Sequence, residues 1–292
     1  MELRVLQYFL AVAREQSLSG AAESLHLSQP TLSRQLKDLE QELGKQLFFR
    51  GNRGITLTEE GMLLRKRAEE ILELVKKTES EISLSDDAIA GDVYIGAGES
   101  DLNRLIAKAA FELKKTCPDI RYHIASGNAV FVMEQLDKGL IDFGLVYGPV
   151  DHTRYHSIKI PAADTFGVLM RKDSRLAAKE YITAEDLLDQ PLIVSRQEER
   201  DGFPILARIA PDISRLHVVA TYTLLFNASL LVEEGLGYAI GFDKLINTAG
   251  DSRLCFRPLY PVIETSPSIV WKKYHTMSKA AEKFLKQIQR LL

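Results

Sequence analysis

The N-terminal part of the chain repeats hydrophobic residues every three or four positions, which is the period of one buried face of an α-helix. Such stripes run through residues 3–13, 21–25 and 32–43. Ser19 is expected to cap the second of these helices, because serine hydroxyls accept hydrogen bonds from first-turn N–H groups. The residues 26–28 form a tight turn before the third helix. The pattern therefore predicts three short helices in succession.

The hydrophobic pattern changes after Gly44, a residue type that often ends helices. Short apolar runs at 47–49 and 55–57 flank a tip of turn-forming residues at 50–54. This arrangement predicts a β-hairpin. Three helices followed by a hairpin are typical of a winged helix-turn-helix, which we predict for residues 1–58.

A single long helical pattern follows the hairpin, and its apolar positions step by four and three, the a/d spacing of a coiled coil. We predict a dimerising helix and hinge over residues 59–90, because the remaining faces of the helix are too polar to bury. Packing of the helix against its own domain is the alternative. The predicted dimer seam consists of Leu64, Ala68, Ile71, Val75 and Ile82.

Strand-like and helical segments alternate from residue 93 onward, after a small, polar and acidic linker at 83–92. This rhythm predicts parallel sheets with helices on both faces. Two halves of about 100 residues fit the length of this region.

Composition excludes several classes of protein. The 292 residues carry a formal net charge of −3, so bulk charge predicts no partner. Cys117 and Cys255 lie too far apart in sequence for a zinc finger, and two cysteines make no disulfide framework. No basic segment followed by an apolar one begins the chain. The longest stretch without Asp, Glu, Lys or Arg has 17 residues, fewer than a membrane helix needs. We expect a cytoplasmic protein.

The placement of charge indicates DNA binding better than its total does. Residues 24–37 and 43–58 contain no acidic side chain. A recognition helix enters the major groove by its N-terminal end, which is the basic and polar end of the third helix. A solvated polar face is the alternative. The predicted DNA-binding residues are Ser28, Gln29, Pro30, Thr31, Ser33, Arg34 and Lys37 on this helix and Arg50 and Arg53 at the hairpin tip.

The segments FLAVA at 9–13, SLSGAAESL at 17–25, LSQPTLSRQLKDL at 27–39 and LGKQLFFR at 43–50 resemble the LysR-type transcriptional regulators. The resemblance continues more weakly beyond residue 90. It implies a winged-helix domain, a dimerising linker helix and a two-lobed α/β effector domain like a periplasmic binding protein.

For residues 91–292 the resemblance implies lobe I at 91–161 and 267–292 and lobe II at 162–266. It also implies homodimers that assemble into homotetramers, bend promoter DNA and respond to a small co-inducer. No metal or other cofactor is expected.

Ligands of open α/β sheets bind beyond the carboxyl ends of the strands. Ser100 would cap the helix that follows it, and Arg196 would pair with a ligand carboxylate or with Glu198 or Glu199. Because Glu99 has the opposite charge to Arg196, the charge of the ligand stays open, with a preference for a small anion. The predicted effector-binding residues are Glu99, Ser100, Gly127, Asn128, Val146, Tyr147, Ser195, Arg196, Tyr222, Thr223, Phe226 and Asn227.

Three other functions compete with a regulator. An enzyme is disfavoured because none of the six histidines lies in a known catalytic motif, and His152 and His156 lie in a loop. A solute-binding protein would fit residues 91–292 but not the helix-turn-helix. An architectural DNA protein would bind DNA without regard to sequence, and its affinity would fall with salt.

Overall fold

A computed structural model describes residues 1–51, 54–82, 90–202, 204–208, 213–274 and 276–292. The chain divides into two compact units, Met1–Leu84 and Ser85–Leu292. Arg53 and most of the predicted linker at 83–92 lie outside the described residues.

The first unit has the element order of a winged helix-turn-helix, as predicted. The cap of its second helix is Ser17, whose Oγ accepts a hydrogen bond from the backbone N–H of Gly20, so the prediction of Ser19 is wrong. The elements are α1 Leu3–Glu15, α2 Leu18–Ser24, α3 Gln29–Leu43, β1 Phe48–Gly51, β2 Gly54–Leu57 and α4 Glu59–Ile82.

Residues of α3 and α4 contact the backbone at the start of the hairpin. Glu40 on α3 accepts hydrogen bonds through Oε1 from the N–H groups of Leu47 (2.7 Å) and Phe48 (3.3 Å). Gly61 in the first turn of α4 lies so close to β1 that an added Cβ would meet the Leu47 carbonyl oxygen at 2.2 Å. Only glycine therefore fits at this position.

The first half of α4 belongs to the core of the first unit, which corrects the predicted dimer seam. Ala68 is fully buried, and Leu64 and Ile71 pack against the core that α1, α3 and β1 form. The seam prediction is wrong for Ala68, because spacing by three and four serves intramolecular packing equally well. For the half-buried Leu64 and Ile71 it stays a prediction. Val75 is half-buried and Ile82 is 78% exposed.

The second unit contains two β-sheets, each with helices packed on it. The strands of lobe I are β3 Gly91–Ala97, β4 Ile120–Ser126, β5 Phe143–Val146, β6 Tyr155–Lys159 and β13 Ser268–Lys272. Those of lobe II are β7 Asp164–Arg171, β8 Pro191–Ser195, β9 His217–Tyr222, β10 Tyr238–Phe242, β11 Leu254–Pro258 and β12 Glu264–Thr265. The helices are α5 Arg104–Lys114, α6 Ala129–Asp137, α7 Ala184–Leu187, α8 Arg196–Arg200, α9 Leu225–Glu233 and α10 Lys279–Leu291.

Both sheets are mixed, whereas the alternating pattern predicted parallel ones. The lobe I sheet has the order β4-β3-β5-β13-β6, and the lobe II sheet has the order β11-β7-β10-β8-β9, with β12 beside β7. β3 is parallel to β4 and β5, and β8 is parallel to β9 and β10. β7 and β13 run antiparallel to their neighbours, because the chain crosses between the lobes at each of them.

A parallel centre in each sheet gathers the carboxyl ends of β3, β4 and β5 at one edge and those of β8, β9 and β10 at another. In the described part of the chain, no helix is both long and apolar enough to cross a membrane.

Candidate functional site

The N-terminus of α3 is fixed by its own side chains. Ser28 caps the helix, with its Oγ 3.3 Å from the Thr31 backbone nitrogen and 2.7 Å from Thr31 Oγ1. Pro30 occupies the first turn, where its missing N–H costs nothing.

Because Leu32 and Leu36 are buried in the core, the residues between them face away from it. Arg34 has 83% of its side chain exposed, and its Nε forms an ion pair with Asp38 Oδ2 at 3.9 Å, beyond hydrogen-bond distance. Ser33 is half-buried. The other predicted residues of this surface are exposed, namely Ser28, Gln29, Pro30, Thr31 and Lys37. We call this set with Arg34 the α3 face.

The hairpin beside α3 is a two-stranded ladder. In its register, Arg50 lies opposite Ile55 and Phe48 lies opposite Leu57. Lys45, just before the hairpin, pairs with Glu60 Oε1 at 3.2 Å. Backbone hydrogen bonding and this lysine hold the pKa of Glu60 below its usual range.

At the carboxyl ends of the lobe I strands, the predicted residues come together as expected from the topology. Asn128 follows β4 and caps α6, with its Oδ1 3.0 Å from the Phe131 nitrogen. Gly127 is packed so closely that an added Cβ would meet the Phe131 ring at 2.2 Å. The side chain of Val146 is buried in the core of lobe I, and its role as a ligand contact stays a prediction.

Ser100 forms the centre of a buried network. Its Oγ accepts a hydrogen bond from the Leu102 N–H (2.9 Å), which confirms it as a helix cap, here of the 3₁₀ turn before α5. It also donates to Asp164 Oδ2 at 2.6 Å. The Tyr147 hydroxyl donates to the same oxygen. Burial and the nearby Asp164 raise the pKa of Tyr147.

Asp164 was not predicted from the sequence. It is the first residue of β7, where the chain has just crossed into lobe II, and it is buried. Its partners lie far away in sequence, so no local pattern marks it. An isolated acid at the start of a strand that follows an interlobe crossing is the only signal available.

Glu99 links the two lobes. One of its carboxylate oxygens accepts a hydrogen bond from the backbone N–H of Leu225, the first residue of α9. The residue before this helix, Leu224, offers no side-chain cap. Glu99 therefore caps a helix of the opposite lobe.

In lobe II, Ser195 caps α8 through a 3.0 Å contact with the Glu198 nitrogen. Arg196 is exposed. Its predicted alternative partner, Glu198, instead accepts hydrogen bonds from the N–H groups of Ile205 (2.7 Å) and Leu206 (3.0 Å). Burial raises the pKa of Glu198.

Tyr222 ends β9 and donates its hydroxyl hydrogen to the Ile240 carbonyl oxygen at 2.6 Å. Burial raises its pKa, and the charges of Glu99 and Glu198 contribute. Thr223 is exposed, as are Phe226 and Asn227 on α9. Among the described residues, no group of three or more His, Cys, Asp and Glu side chains is placed to hold a metal ion.

Comparison with known proteins adds independent findings. Residues 3–62 match the family model described as the bacterial regulatory helix-turn-helix protein of the lysR family, and residues 86–292 match the model of the LysR substrate binding domain. The HTH-type transcriptional regulator BsdA of Bacillus subtilis (strain 168) is 36% identical over 295 residues, covering 98% of this chain and 99% of the relative.

A second relative from the same organism, the HTH-type transcriptional regulator AlsR, is 33% identical over 201 residues, covering 68% of this chain and 65% of AlsR. Among solved structures, full-length CbnR in complex with its target DNA aligns over all of both chains with a TM-score of 0.77 and 20% identity. This structural likeness concerns the fold.

Proposed function

Because this chain belongs to the LysR family of bacterial transcriptional regulators, we propose that the α3 face binds promoter DNA under the control of a small molecule held between lobe I and lobe II. The chain is a DNA-binding transcriptional regulator and not an enzyme. The residues that contact DNA, the assembly of the copies and the control by an effector are proposals.

One observation carries the DNA-binding proposal: the N-terminal half of α3 exposes a polar and basic surface on a helix whose opposite side is buried. Side chains of this kind reach base edges in the major groove, and those nearer the backbone bind phosphates. In this proposal Gln29, Thr31 and Arg34 contact bases, whereas Lys37 and Lys45 contact phosphates. Arg50 and Arg53 bind phosphates or the minor groove.

Measuring the affinity for DNA by fluorescence anisotropy tests this proposal. At one fixed salt concentration, the protein should bind the region upstream of its own gene at least about a thousandfold more tightly than a scrambled duplex of the same composition. Equal affinities would identify a DNA protein without sequence preference.

We propose that α4 joins two copies and that two dimers form a homotetramer. Ala68 is buried in the core of the first unit and cannot form the seam, so the proposal extends to the apolar side chains that α4 exposes. Those side chains are Met62, Leu63, Leu74 and Ile82. Burying such residues between two helices stabilises the dimer, because every leucine removed from water contributes about 1.5–3 kcal/mol.

Sedimentation velocity tests the dimer. The Leu63→Glu/Leu74→Glu variant should sediment as a monomer at micromolar concentration, while its circular dichroism stays that of the wild type. Leu3→Glu is the matched control, because Leu3 is 45% exposed on α1 rather than α4. An unchanged sedimentation coefficient for the double variant would remove α4 from the interface.

The effector part of the proposal rests on strand ends from both lobes meeting near Glu99 and Ser100. A ligand held there favours the closed arrangement through its differential affinity for that state, and closure would alter promoter contacts and DNA bending. No cofactor takes part, and the protein acts in the cytoplasm, where its DNA target lies. Native mass spectrometry of the purified protein, followed by footprints with and without the molecule found, tests this step.

A further inference from the structure

Two lobe I hydroxyl groups that would bind an anionic effector are already engaged within the chain. Ser100 donates its only hydroxyl hydrogen to Asp164, and Tyr147 donates its own to the same carboxylate. Asn128 accepts the capping hydrogen bond of α6 through its side-chain oxygen, which leaves its amide N–H donors out of this contact. A ligand carboxylate arriving here would meet hydroxyl groups whose hydrogens point to Asp164.

The facing part of lobe II is engaged as well. The first N–H of α9 would attract an anion, because helix N-termini carry partial positive charge. Glu99 already occupies this position with its own carboxylate, from the opposite lobe. An anionic ligand could reach the helix only by displacing Glu99 or by lying beside it.

Three carboxylates lie at these strand ends, together with the cation Arg196 directly after β8. Glu99 and Glu198 both act on Tyr222 at the end of β9, and Asp164 lies at the start of β7. The nearby cation that the sequence offered, Arg196, is exposed. Like charges close together in a partly buried site repel each other. The same repulsion acts on any anion placed in this cleft.

We propose that Glu99 is a specificity-determining residue of the effector cleft and that it selects a neutral or cationic molecule carrying a hydrogen-bond donor, against carboxylates and phosphates. This inference rests on the proposed effector cleft and names the class of molecule that it takes. It reverses the preference for a small anion that Arg196 suggested. The donor of the effector bonds to the Glu99 carboxylate, beside or in place of the Leu225 N–H.

The test compares benzoate with benzamide, which have the same shape and differ in charge and in N–H donors. Isothermal titration calorimetry on the full-length protein measures both affinities for the wild type, Glu99→Gln and Glu112→Gln. Glu112 is a matched control, since it loses the same charge from the exposed surface of α5, where it pairs with Lys115.

The wild type and Glu112→Gln should bind benzamide at least as tightly as benzoate. In Glu99→Gln, the ratio of benzoate to benzamide affinity should rise at least about tenfold, the effect of removing one like charge at close range. A ratio in Glu99→Gln equal to that of the wild type would overturn the proposal. So would a failure of benzoate to bind detectably to Glu99→Gln as well as to the wild type. A wild type that prefers benzoate would overturn it too.

Hydrogen exchange provides a readout that needs no ligand. Glu99→Ala removes the cap of α9, so the peptide that contains Leu225 should exchange at least about fivefold faster than in the wild type, with Glu112→Gln unchanged. Unaltered exchange would mean that Glu99 does not hold this helix, and the proposal would fail.

The outcomes separate this inference from the proposed function. If the wild type binds benzoate and the ligand protects the ends of β3 and β9 from exchange, the effector cleft stands and only its selectivity for non-anions is lost. If neither probe nor any copurified molecule protects those strand ends, the cleft itself is lost, and this inference with it.

Discussion

The polar side chains of the α3 face differ from those at the interlobe strand ends in how many partners they have within the molecule. Arg34 is 83% exposed and lies beyond hydrogen-bond distance of Asp38. Asp164, in contrast, is buried and accepts hydrogen bonds from two hydroxyl groups. In the α3 face, the hydrogen bonds of Ser28 and Thr31 are confined to the helix cap, and Arg34 stays exposed. At the interlobe strand ends, polar groups of the two lobes form hydrogen bonds with each other.

The comparison implies opposite consequences for mutation. Removing a side chain of the buried network should lower stability, whereas removing one from the α3 face should leave stability unchanged and weaken DNA binding.

The largest loss of stability is expected for Asp164→Ala. It leaves the hydroxyl groups of Ser100 and Tyr147 buried without an acceptor, which should lower the free energy of unfolding by about 3 kcal/mol. Urea denaturation of the second unit measures this. Asp251→Ala is the control, since Asp251 is exposed in the same lobe. Equal midpoints for the two variants would contradict the contrast.

The first unit has an engaged carboxylate of its own, in Glu40. Glu40→Ala leaves the N–H groups of Leu47 and Phe48 without their acceptor, and the free energy of unfolding should fall by about 1–2 kcal/mol. Glu40→Gln keeps an acceptor oxygen and should lose less than half as much. Thermal melts of both variants test this, and a glutamine variant as unstable as the alanine variant would show that the hydrogen bonds are not the cause.

A smaller effect, with a defined pH dependence, is expected at Glu198. Burial raises its pKa above the unfolded value, so the ionised form destabilises the fold, and this penalty disappears as the pH falls through the raised pKa. Glu198→Gln keeps an oxygen for both backbone N–H groups. It should be up to about 1 kcal/mol more stable than the wild type at pH 7, with the difference shrinking toward pH 5.

Urea midpoints at several pH values measure this difference. Glu199→Gln, on the exposed side of the same helix, should show no such trend. A Glu198→Gln variant that is less stable at pH 7 than at pH 5, relative to the wild type, would reverse the assigned sign.

The smallest effect on stability is expected at Arg34. Since Arg34 is exposed, Arg34→Ala should change the free energy of unfolding by less than about 0.5 kcal/mol. Differential scanning calorimetry of the variant checks this, and a loss of 2 kcal/mol or more would place Arg34 among the structural residues.

The order of elements in the first unit was predictable because each of its helices and strands has a local hydrophobic period. The same period could not say what α4 packs against, since an a/d stripe suits a partner helix or the core of its own domain. Ala68 shows that the second applies in the first half of α4. The strands β6, β11, β12 and β13 were not predicted, because short returning strands at interlobe crossings have no repeated pattern.

The sequence predicted where the interlobe residues lie but not which hydrogen bonds they form. Topology alone placed Glu99, Ser100 and Tyr147 at the ends of lobe I strands. Their actual partners are separated from them by long stretches of sequence: 64 positions for Ser100 and Asp164, and 126 for Glu99 and Leu225. Only the folded chain shows that these polar groups bind each other.

The central claim is that the α3 face distinguishes one DNA sequence from another, and the ratio of affinities for the upstream region and a scrambled duplex measures it most directly. At fixed salt, Arg34→Ala should lower this ratio by about 1–3 kcal/mol in free-energy terms if the arginine contacts a guanine. Lys45→Ala should weaken both affinities alike and leave the ratio unchanged. A ratio that falls equally in both variants, or in neither, would contradict the account.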